Sequence, residues 1–144
     1  MSNIFLYNFP ILPNGFVFPK TYIDIVMHND IIEIEPWSFL CRDKGMSLSY
    51  YGSMLIKYKD HPLVPFAIAD DQSGFFNDGY IILACFDGKD TSGDPKVYFH
   101  DYGYRGEKPS WEKRYHLDNF LTWFELAKEE SAQYKVERAD LDKI

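Results

Sequence analysis

Two long apolar runs dominate the pattern of the chain, Leu63 to Ala69 and Gly79 to Phe86. Runs of this length with so few polar positions fit strands buried on both faces, not strands with one wet face. Pro65 has no amide to give to a ladder, which predicts an edge position or a bulge in the first run. Met54 to Tyr58 reads as a further strand, set off from Leu63 by the turn Asp60-His61-Pro62. Asp87 to Pro95 is a loop by composition, and Lys96 to His100 returns as a strand. The connector between the two long runs, Asp70 to Asp78, places Phe75 and Phe76 among the carboxylates of Asp70, Asp71 and Asp78.

Helical spacing is found near both ends. Phe18-Pro19 opens a helix with proline at its first position, where the missing N–H costs nothing, and Phe18, Tyr22, Ile25 and Val26 follow at intervals near 3.6. Thr21, Ile23, Ile25 and Val26 are β-branched, so propensity and pattern disagree there. The stretch Ile31 to Leu40 carries Glu33-Ile34-Glu35-Pro36-Trp37, in which proline bars a helix interior and the alternating glutamates predict an edge or a loop over the sheet. A last helix is capped by Asp118, with Leu117, Phe120, Leu121, Phe124 and Ala127 along one face and Trp123 beside it. Beyond Lys128-Glu129-Glu130, residues 131–144 read as a charged, solvated tail. Residues 1–17, with Pro10 and the turn Pro13-Asn14-Gly15, read as an extended arm packed on the domain. There is no internal repeat and no domain boundary. The order of elements predicts a single α+β domain, a central and mostly antiparallel sheet flanked by helices near the N- and C-terminal ends.

Composition adds a surface to this core. A length of 144 residues suits one domain, but 12 Phe, 11 Tyr and 3 Trp are more rings than an interior of that size readily hides. Tyr and Trp are enriched at interfaces because one end tolerates water. The net charge of -7 argues against nucleic acid, which rewards clustered Lys and Arg, and favours a basic partner; taken alone, it also serves solubility. Cys41 and Cys85 lack metal or disulfide spacing. The N-terminal stretch has no basic region ahead of an apolar one, and no run approaches the ~18 apolar residues of a membrane span, so a cytoplasmic location is expected.

Candidate chemistry is sparse. His28, His61, His100 and His116 are scattered and none has metal spacing. Asp24 and His28 share a helix face, the geometry of a surface contact. His100 and Asp101 point to opposite faces of a strand. Asp87, Asp90 and Asp94 do not follow the spacing of a calcium loop, and Tyr102-Gly103-Tyr104-Arg105-Gly106 carries a single arginine. No catalytic residue, metal ligand or cofactor site is expected. The acidic and aromatic groups remain: Glu33, Glu35 and Trp37 in one, Asp70, Asp71, Phe75, Phe76 and Asp78 in another, with Asp87 beyond them. Such residues bind a protein partner through aromatic anchors and carboxylate steering.

The succession Phe18-Pro19-Lys20-Thr21-Tyr22, Glu35-Pro36-Trp37-Ser38-Phe39-Leu40, Leu63-Val64-Pro65-Phe66-Ala67, Ala84-Cys85-Phe86-Asp87-Gly88 and Lys96-Val97-Tyr98-Phe99-His100-Asp101, then a helix rich in Trp and Phe, resembles the SUKH superfamily over residues 18–130. The resemblance implies helix over residues 19–28, a sheet flanked by helices, and no catalysis. It also implies one of two roles. Bacterial members are immunity proteins that bind and neutralise a toxin, often a nuclease or another nucleic-acid-directed enzyme; yeast members are regulatory hubs of signalling and cell-wall synthesis. A short single-domain chain is nearer the bacterial kind, so the expected partner is a cognate, basic toxin, with no nucleic acid, membrane or small-molecule substrate. The chain departs from the pattern where Asn29-Asp30-Ile31 stands in place of Asn-Gly-Gly, and where the arm replaces a preceding helix.

Overall fold

Pro19, in extended backbone at φ -65°, leads into α1 (Lys20–His28), which buries Tyr22 and Val26. Burial of this apolar stripe outweighs the β-branched propensity of the segment. The computed structural model describes residues 4–7, 11–29 and 32–142. The expectations for Pro10, for Asp30-Ile31 and for the last two residues lie outside them. After α1 come β1 (Trp37–Phe39), a 3-10 turn at Leu40–Arg42, α2 (Lys44–Lys57), β2 (Leu63–Ala69), β3 (Ile82–Asp87), β4 (Val97–Asp101), β5 (His116–Leu117) and α3 (Phe120–Asp142). The five strands form one sheet in the order β1-β2-β3-β4-β5, every neighbour antiparallel. This is the single α+β sheet flanked by helices that the sequence predicts.

Two helices differ from expectation. Residues 54–57 are not a strand but the last turn of α2, whose start is capped by Asp43 Oδ1 accepting the Met46 N–H at 3.0 Å. Asp118 does not cap α3; Asn119 does, its Oδ1 accepting from the Thr122 N–H at 3.0 Å and from Thr122 Oγ1 at 2.9 Å. The helix also continues through Asp142 instead of ending in a solvated tail. Its inner face is Phe120, Trp123, Ala127, Ser131 and Tyr134, while Leu121 points outward.

Pro65 lies in an internal strand, and the chain accommodates it with a bulge: Pro65 pairs with Cys85, but the next pair is Ala67 with Ala84. Phe66 and Ala67 therefore share a face, the usual effect of one extra residue. That face carries Trp37, Phe39, Phe66, Phe86 and Val97 beneath α1, α3 and the arm residues Tyr7 and Phe16. Phe66 stacks on Phe86 at 4.1 Å between ring centres, and Trp123 meets Phe66 edge-on at 4.9 Å. The opposite face carries Leu63, Ile68, Leu83, Cys85 and Tyr98 beneath Met54 and Tyr58 of the α2 end.

Candidate functional site

Between β2 and β3 the chain turns through residues 70–81, and one buried carboxylate organises the turn. Asp71 Oδ1 accepts from the Ser73 N–H at 3.1 Å, from Ser73 Oγ at 2.6 Å and from Tyr134 Oη of α3 at 2.9 Å; Oδ2 accepts from the Phe76 N–H at 2.9 Å. Burial pushes the Asp71 carboxyl up, but these hydrogen bonds outweigh it and hold the group below the usual carboxylate range. Asn77 and Asp78 both sit at φ 53°, a left-handed conformation that Asn and Asp tolerate better than most residues. Asn77 Nδ2 donates to the Tyr80 carbonyl at 3.0 Å and to Asp101 Oδ1 at 2.9 Å, fixing the loop to the end of β4.

The clamp sorts the two loop phenylalanines. Phe76 turns inward and meets Trp37 edge-on at 5.9 Å, whereas Phe75 is 39% exposed. Phe75, Phe76 and Tyr134 then line a groove of about 250 Å³ with Glu130, Gln133 and Glu137 of α3. Glu130 Oε1 accepts the Trp37 indole N–H at 3.3 Å; burial raises its carboxyl above the ordinary value, the indole bond only partly opposing this. Gln133 Nε2 donates to Glu137 Oε1 at 3.2 Å, and Arg138 Nη1 donates to Tyr134 Oη at 3.3 Å. An aromatic groove with two glutamates is suited to the apolar stem and charged head of an arginine or lysine.

The nine residues singled out by sequence divide cleanly. Glu33, Glu35, Asp70, Phe75 and Asp78 are exposed, Glu33 pairing with Lys135 Nζ at 3.4 Å. Phe76 is half-buried as the inner wall of the groove. Trp37, Asp71 and Asp87 are buried and engaged inside the domain, so they build the surface instead of meeting a partner directly. Asp87 is also remote: it pairs across from Leu63, at the end of the sheet opposite the loop, and its Oδ1 takes the His61 Nε2 at 2.7 Å and the Lys89 N–H at 2.9 Å. Sequence reasoning missed Glu130, Gln133, Tyr134 and Glu137. The signal for them was the spacing of Trp123, Ala127 and Tyr134, which continues the inner stripe past the expected end of the helix.

The residues weighed for chemistry do not converge. His28 Nδ1 lies 2.9 Å from the backbone carbonyl of Asp24, not its carboxylate, which pairs with Lys20. Asp90 accepts from the Ser92 and Lys96 N–H groups, and Asp94 from Asn119 Nδ2, so Asp87, Asp90 and Asp94 each serve separate partners. Among the described residues, no group of three or more His, Cys, Asp or Glu side chains could hold a metal ion, and no helix is long and apolar enough to cross a membrane. Compared with known proteins, the chain matches no family model, no curated protein and no solved structure.

Proposed function

We propose that this chain is a non-catalytic, cytoplasmic immunity protein of the SUKH type, which neutralises a cognate basic toxin by binding it and covering its active site or an essential surface. One observation carries the reading. The Asp71 clamp presets the loop 70–80 against α3, so that Phe75 stands exposed above a groove holding Glu130 and Glu137, and the same loop carries the exposed Asp70 and Asp78. A preset loop loses little conformational freedom when a partner docks. Phe75 serves as the aromatic anchor, the groove takes a cationic side chain, and the outlying carboxylates steer the encounter. The overall charge of -7 and the resemblance over residues 18–130 support a nuclease or another nucleic-acid-directed enzyme as the target, since such enzymes are basic to hold their substrates.

The test is co-expression of this protein with the toxin domain encoded beside it, followed by a pull-down and by binding kinetics of variants. Rescue of the host with a 1:1 complex is the expected result. Phe75→Ala and Glu137→Lys should each shorten the lifetime of the complex, and Asp70→Lys should mainly slow association at low salt. Absence of rescue together with several weak partners would replace this reading by a regulatory module of the cell-wall type. A tight complex that ignores all three substitutions would move the interface to another face.

A further inference from the structure

β5 pairs only with Val97 and Tyr98 of β4, so the outer edge of Phe99 to Asp101 lacks a strand partner. The segment 102–115 crosses this edge and leaves a mostly apolar cavity of about 230 Å³. Phe99 and Tyr115, stacked at 5.8 Å, form one wall. Tyr58, His100, Lys108 and Arg114 form the polar end. Lys108 Nζ donates to Tyr58 Oη at 2.8 Å, and Tyr58 in turn lies 2.6 Å from His100 Nδ1. Burial, with Lys108 and Lys57 nearby, drives the imidazole down to about 4. It is therefore neutral at pH 7, and the hydroxyl donates to it. Arg114 lies 3.8 Å over the Trp111 ring and donates to the Pro109 carbonyl at 2.9 Å.

Two cations thus share one end of a mostly apolar cavity, and the carboxylate that also lines it, Asp101, is committed elsewhere. Neither Lys108 nor Arg114 is ion-paired with a carboxylate among the described residues, and Arg114 Nε is buried with no hydrogen-bond partner. Asp101 accepts instead from Asn77 Nδ2 and the Gly103 N–H. Lys108 is exposed and Arg114 half-buried, and an anion that joins two such neighbouring cations relieves their mutual repulsion. We propose that this cavity is a binding site for a small organic monoanion, a carboxylate on a flat apolar body, whose oxygens meet Lys108 and Arg114 while the body lies against Phe99 and Tyr115. The site shares no lining residue with the loop 70–80 groove.

The full chain would be titrated with sodium benzoate at constant ionic strength and followed by the amide resonances, with benzamide as the uncharged isostere. Benzoate should give saturable shifts at residues 99–101 and 108–115. Benzamide should bind about tenfold more weakly, the loss expected when a charged hydrogen-bonding group is removed. Lys108→Gln should weaken benzoate by a similar factor while keeping the folded spectrum, because Lys108 is exposed; Arg114→Gln should do the same unless it loosens the segment over Trp111, in which case Lys108→Gln alone decides. Equal binding of benzoate and benzamide, shifts confined to other residues, no saturable shift at all, or unchanged affinity in Lys108→Gln would each overturn the proposal.

Discussion

Replacing Asp71 by alanine strips four donors of their acceptor at once. The two from Ser73 lie on an exposed residue and turn to water at little cost. The Phe76 N–H and the Tyr134 hydroxyl are covered by the loop and by α3; leaving each unpaired costs about 1–3 kcal/mol. Some relaxation of the loop will admit water, so a loss of about 3 kcal/mol from the unfolding free energy at pH 7 is expected. Asp71→Asn should lose about half as much, because an amide oxygen at the Oδ1 position keeps three donors while its NH₂ faces the Phe76 N–H. The pH dependence has a definite sign. The folded-state carboxyl titrates below its ordinary 3.8, so its contribution is complete above that value and disappears as pH falls through the folded-state value. Urea unfolding of the three proteins at pH 7 and in acid, with hydrogen exchange at the Phe76 amide, reads all of this. A loss under about 0.5 kcal/mol for Asp71→Ala, or a difference that persists undiminished in acid, would refute the clamp.

Trp37→Ala should cost about 3–5 kcal/mol as a core deletion, whereas Phe75→Ala should change folding stability by no more than about 0.5 kcal/mol; urea midpoints separate the two. Gly88→Ala places a methyl 2.4 Å from the Pro62 carbonyl oxygen and 2.9 Å from Pro13 Cγ, and since backbone cannot step aside it should cost about 2 kcal/mol or more. Gly52→Ala, in α2 with open space at the new methyl, should instead stabilise by up to about 1 kcal/mol on the same assay. The His100 ring should titrate near 4 by NMR, well below its ordinary 6.5. Between those values the unfolded chain binds the proton and the folded one does not, so stability should fall by roughly 3 kcal/mol as pH drops across the window.

The sheet was legible because strands covered on both faces announce themselves as unbroken apolar runs; β2 was read to the residue, β3 began three residues later than its run, and of the edge or bulge that Pro65 implied the structure has the bulge. α2 was not legible, for a physical reason. Its buried positions are Ser47, Tyr51 and Met54, while Met46, Leu48, Leu55 and Ile56 face outward, so the apolar period that marks a helix is masked and its last turn imitates a strand. In α3 the inner stripe passes through Ser131, a polar residue, before reaching Tyr134, and the stripe looked finished about two turns early. The site suffered from the same cut. The loop 70–80 could be picked out by its rings and carboxylates, but its helical half lay in what read as tail. Nor could spacing show that Asp71 is drawn inside by Tyr134 of α3.

The bulge in β2 bears on how the length of this strand can change. Val64, Phe66, Ala67 and Ala69 face one core; Leu63, Pro65 and Ile68 face the other. Dropping a residue elsewhere within the strand would exchange the two sets over part of its length and drive Ile68 or Leu63 into space shaped for alanine or phenylalanine. Dropping Ala67 would leave a regular ladder with each remaining side chain still on its own side and the Phe66 stack on Phe86 in place. The bulge is thus the point in β2 where the chain can lose a residue without exchanging its two interiors.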